Sequence, residues 1–132
     1  MGYSDCSDGM IAQFAEFLGD RCPTGLELVT HHEVPALTAR MEFIWAHLPQ
    51  EWIEFNLGRW ESFWAKVTAA LKPLGAATMV NSANTKSAFE AMYHNGMDYR
   101  RLARLGVEYL VVETVAANLA LINGGHERHF DF

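Results

Sequence analysis

Two short apolar runs, "AATMV" at residues 76–80 and "VEYLVV" at 107–112, stand on either side of a stretch with helical character, roughly Ser87 to Leu105. Strands separated by a helix cannot pair through a tight hairpin. The connection has to cross over, which makes the strands parallel and the crossover right-handed. Ala77–Val80 and Val107–Val112 are therefore expected side by side in a βαβ unit. Gly96 is placed to split the intervening helix in two, and Gly106 to end it. Phe89, Met92, Tyr99, Leu102 and Leu105 are its candidate core residues.

Upstream the chain reads as helix. Ser7 or Asp8 can cap a first helix, in which Met10, Ile11, Phe14, Phe17 and Leu18 recur at helical spacing and Gly19 is the stop. "RCPTG" is a loop by its Pro and Gly, while "LELVTHHEV" is either a short strand or the lead into the next helix. Pro35 suits the first position of that helix, and Leu37, Met41, Ile44 and Trp45 share one of its sides. Pro49 interrupts the pattern. It then resumes through Trp52, Phe55, Trp60, Phe63, Trp64, Val67 and Leu71, with Gly58 as a candidate bend and Pro73 and Gly75 as the end. The division expected is thus a mainly helical stretch 1–75 and a βαβ unit 76–132 within one segment. The closing "HERHFDF" reads as the opening of one more helix.

Half of the 132 residues are hydrophobic and 20% are charged, so the chain can bury a core. A net charge of -6, with ten Lys and Arg spread thinly, argues against a nucleic-acid partner, because phosphate binding needs clustered cations. Arg100, Arg101 and Arg104 form the only basic cluster, with Asp98 beside them. No apolar run approaches the roughly 20 residues that cross a bilayer, so no membrane partner is expected. Cys6 and Cys22 make no scaffold and fit no zinc spacing, and whether they pair is open.

Ligands of parallel α/β folds gather beyond the carboxyl ends of the strands. Asn81, Ser82 and Asn84 come after the first strand, and Glu113 and Thr114 after the second. Amides and a carboxylate at such a rim suit a hydroxyl-rich ligand, so Asn81, Asn84 and Glu113 are the candidate substrate-binding residues; otherwise they only shape turns. The aromatic segment 51–67 is either a helix core face or, at one Trp, a surface for stacking on a sugar ring. His31, His32 and Glu33 are adjacent, and "HERH" falls one residue short of the H-E-x-x-H spacing, so no metal site is expected. There is no Gly-rich phosphate loop, nucleophile elbow or Walker motif, and no cofactor is implied.

The order of "CSDGMIAQFAEFLGDR", "EWIEFNLGRWESFWAKVTAAL", "ATMVNSANT" and "DYRRLARLGVEYLVVET" resembles the central part of a (β/α)8-barrel glycoside hydrolase, most nearly the β-galactosidase-like enzymes of clan A. The resemblance implies an α/β fold: a partial (β/α)8 (TIM-type) barrel, helix-rich, with two or three parallel strands. It implies carbohydrate as the partner. In that family two carboxylates about 5 Å apart act as proton donor and nucleophile with retention of configuration. Glu113 matches its acidic strand end and Asn81 or Asn84 the polar strand end before it, in substrate binding rather than acid/base roles. The acid/base Glu follows an Asn in the family, and no Asn-Glu pair occurs here. A complete barrel takes roughly 250 residues, so a barrel segment without its own catalytic pair is expected, associating with itself through exposed apolar edges. The alternatives are a non-catalytic module for carbohydrate or another small polar ligand, a small α/β domain completing its sheet by dimerisation, and a helical interaction protein.

Overall fold

A computed structural model describes residues 5–24, 26, 34–81 and 87–111. Among them, five α-helices and two strands run in the order α1 (Asp8–Leu18), α2 (Val34–His47), α3 (Pro49–Leu71), β1 (Met79–Asn81), α4 (Ala88–Asn95), α5 (Tyr99–Arg104) and β2 (Tyr109–Val111). The chain divides into two compact units, Met1–Phe55 and Asn56–Phe132, with the boundary inside α3.

The first unit is a helical cluster built on aromatic contacts. Ile11, Phe14 and Leu18 are the buried side of α1, at the spacing a helix needs to bring them together. Phe14 meets Trp52 edge-on, with ring centres 4.8 Å apart, and lies 5.2 Å from Phe55. Ile44 of α2 joins the same core, with Leu37, Met41 and Trp45 packed against it. Pro49 is the first residue of α3, where its missing amide hydrogen costs nothing. Only Leu48 separates α2 from α3. Its amide donates to the Ile44 carbonyl at 2.7 Å, and its carbonyl accepts the Trp52 amide at 2.9 Å.

In the second unit β1 and β2 pair in parallel, in the register Met79↔Tyr109, Val80↔Leu110 and Asn81↔Val111. One face of this pair is inward: Val80 is buried with Met97 and Leu102, and Trp64, Tyr99, Val107 and Leu110 pack against them. The other face, with Met79, Tyr109 and Val111, is exposed. The connection is tightly capped. Ser87 accepts the Glu90 amide at the start of α4, and Asp98 accepts the amides of Arg100 and Arg101 at the start of α5. Gly96 closes α4 in the left-handed conformation, so the expected split of the helical stretch falls there.

The barrel expected from the resemblance is overturned. The described residues are mostly helical, and their sheet has two strands of three residues each. A (β/α)8 barrel needs a strand between successive helices. The single residue between α2 and α3 leaves no room for one. The candidate third strand, "LELVTHHEV", lies outside the described residues apart from Leu26 and Val34, as does the closing "HERHFDF".

Three expected core residues are on the surface. Phe63 is 51% exposed and Trp60 38%, the two rings meeting edge-on at 5.8 Å. Phe63 is one residue from half-buried Trp64, so it sits about 100° round the helix from it. Phe89 is 65% exposed because α4 buries Ala91, on the opposite side, and Phe89 stacks along the helix on Tyr93. Ala91 and Met97, which the spacing did not mark as core, are buried.

Gly96 and Gly58 make opposite demands. A Cβ on Gly96 would sit 2.8 Å from the Asn56 Cβ and would carry a φ of +63°. Gly58, inside α3, has nothing within 4 Å of its would-be Cβ. Gly96→Ala should lower stability by about 2 kcal/mol or more through backbone strain and contact. Gly58→Ala should raise it by about 0.5–1 kcal/mol through helix propensity. Urea denaturation of both variants checks the opposite signs.

Candidate functional site

The parallel pairing gives the sheet two distinct edges, one of carboxyl ends and one of amino ends. Asn81 ends β1 at the first, exposed and in register with Val111. Ser82, Asn84, Glu113 and Thr114 lie outside the described residues. Of the three residues expected to form one rim, the structure therefore locates Asn81.

The amino ends open onto a groove of 740 Å³ that lies wholly within the second unit. Its size is in the range of small-ligand clefts. The last turns of α3 contribute Ala65, Thr68 and Ala69. Lys72 comes next, from a 3-10 turn that ends at Gly75, and the run from Gly75 to Thr78 leads along the groove into β1. Arg104, Leu105 and Gly106 from the end of α5, and Glu108 just before β2, complete it. Small side chains on α3 and before β1 are what leave the space open.

Thr78 holds the groove together. Among the described residues it is one of the few buried polar ones, at 5% exposure. The Thr78 hydroxyl donates to the Gly106 carbonyl at 3.0 Å, joining residues 28 apart in the chain. The Thr78 carbonyl accepts both the Glu108 and the Tyr109 amides at 3.1 Å. Thr68 is committed as well, its hydroxyl donating back to the Trp64 carbonyl at 2.9 Å. Neither hydroxyl hydrogen is then available to a ligand, whereas Lys72, Arg104 and Glu108 are all exposed. Lys72 and Arg104 also occupy last turns of their helices, where a cation offsets the partial negative charge of the helix end.

The sequence singled out the carboxyl-end edge and did not mark Lys72, Thr78 or Glu108 as groove residues. The signal available was a cation between Leu71 and Pro73 at the very end of a long helix, followed by "GAAT". Those small residues read as the approach to a strand. Arg104 was noted in the basic cluster, and of its neighbours Arg101 pairs with Asp98 and Glu61.

The first unit holds a second polar cluster. Arg40, 5% exposed, donates from Nη1 to the Cys6 carbonyl at 2.9 Å and pairs through Nη2 with Asp8. This ties α2 to the entry of α1. Cys6 and Cys22 are both free thiols that pack in the same core cluster. Burial, and after it Asp5, hold the Cys6 thiol above its ordinary value against the opposing pull of Arg40. Among the described residues no three His, Cys, Asp or Glu side chains group as metal ligands, and no helix is long and apolar enough to cross a membrane.

Compared with known proteins, the chain matches no family model, no curated protein and no solved structure.

Thr78→Val keeps the shape but removes the donor to Gly106. It should cost about 0.5–1.5 kcal/mol in urea denaturation, the net worth of one hydrogen bond, since water can reach the Gly106 carbonyl once the hydroxyl is gone. Cys6 predicts a pH effect of definite sign. Below the ordinary thiol range the group is protonated in both states; as pH rises, the unfolded chain ionises first while the fold retains the proton. Stability should therefore fall as pH rises through and beyond that range, and Cys6→Ala should flatten the fall.

Proposed function

We propose that the chain is a non-catalytic binding module for a small polar ligand, taken up in the groove at the amino ends of β1 and β2. The observation that carries this is the groove itself, an open concavity of 740 Å³ with a small-residue lining and three charged side chains. Thr78, which fastens the two strand starts across it, supports a preformed site, because a ligand would then not have to order the walls.

Binding is favoured over turnover on chemical grounds. Glycoside hydrolysis by retention takes two carboxylates about 5 Å apart, and among the described residues the groove is lined by one, Glu108. Carbohydrate remains among the ligand classes proposed, with Asn81 at the opposite edge as the residue to watch.

A titration of the isotope-labelled chain with neutral monosaccharides and with small organic ions, followed by amide NMR, tests the proposal. Saturable shifts are expected at Gly75 and Gly106. Saturable shifts confined to Asn81 would move the site to the carboxyl ends, and the absence of any saturable change would end the binding proposal.

A further inference from the structure

The groove combines features that narrow its ligand beyond "small and polar". Lys72 and Arg104 bring two positive charges to it and Glu108 one negative, so its lining is net cationic in a chain whose formal charge is -6. The two threonine hydroxyls are committed to backbone carbonyls, which leaves Lys72 and Arg104 as the exposed side-chain donors of the lining. Ala65, Ala69, Ala76 and Ala77 supply an apolar wall without bulk.

From these we infer that the groove takes a small organic anion, with a carboxylate or phosphate between Lys72 and Arg104 and a compact apolar body against the alanines. A planar guanidinium can hold two anion oxygens at once, and an ammonium adds a point charge. An apolar body gains from the alanine wall what a bare ion cannot. Glu108 disfavours a ligand that is anionic along its whole length, so the charge sits at one end. This inference rests on the binding proposal above and specifies its chemistry.

Benzoate is a suitable probe and benzamide its neutral counterpart. Titrated into the full chain, benzoate should give saturable shifts at the Gly75 and Gly106 amides with a Kd in the millimolar range. Arg104→Ala and Lys72→Ala should each weaken it roughly tenfold, a loss of about 1.4 kcal/mol. Both side chains are exposed, and far-UV circular dichroism checks that the variants remain folded. Glu108→Gln should bind benzoate equally or more tightly. Benzamide binding as well as benzoate would overturn the anion assignment while leaving a small-ligand site in place. Unchanged benzoate affinity in both cation variants would overturn it too, leaving Lys72 and Arg104 as helix-end charges. No saturation by either probe at about 10 mM, where a 1 mM site would be about nine-tenths filled, would overturn the inference, and the site with it if the monosaccharides also fail.

Discussion

Thr78 carries the second unit. A parallel pair of three-residue strands has few ladder hydrogen bonds of its own, and parallel pairing is slightly weaker per residue than antiparallel. What holds the pair in register is one residue placed just before β1, with a hydroxyl on the Gly106 carbonyl and a carbonyl shared by two amides of the opposite segment. Register then decides burial: with Met79 opposite Tyr109, Val80 and Leu110 are turned to the core. A slip of one residue would pair Val80 with Tyr109 or Val111 and put Val80 and Leu110 on opposite faces. The groove exists for the same reason, because the segments that Thr78 fastens are two of its walls.

The direction of the strands was legible because it comes from connectivity: a helix between two strands forbids the hairpin. The helix ends were legible for chemical reasons as well. Gly19, Gly75, Gly96 and Pro49 all mark boundaries where the backbone demanded them. Burial was harder to read. The helices carry apolar residues on more than one side, so Trp60, Phe63 and Phe89 fit a core pattern that their own helices leave outside. The barrel failed for a related reason. Resemblance in the order of segments says nothing of whether a strand stands between α2 and α3, and one residue cannot be a strand.

The groove was least legible. Convention for parallel folds favours the carboxyl ends of strands, which directed attention to Asn81, Asn84 and Glu113. The groove instead depends on what is small, and alanines between helix and strand carry no chemical signature in a sequence. Lys72 and Arg104 reach it from separate elements, 32 positions apart by number (104 − 72), so no spacing motif joins them. Arg40 was equally silent. A lone arginine in an amphipathic helix reads as a solvated charge, yet it is buried against the Cys6 carbonyl and Asp8, where removing one partner would strand the other.

The joint at Leu48 has a mechanical consequence. With its amide engaged by α2 and its carbonyl by α3, the residue continues one hydrogen-bonded rod into the next and leaves no slack between them. A looser connection could absorb an added or lost residue in a surface excursion. Here a change of one residue would swing the start of α3 by about a quarter turn and carry Trp52 away from Phe14. The length of the chain at this point is therefore held as firmly as the identity of its side chains.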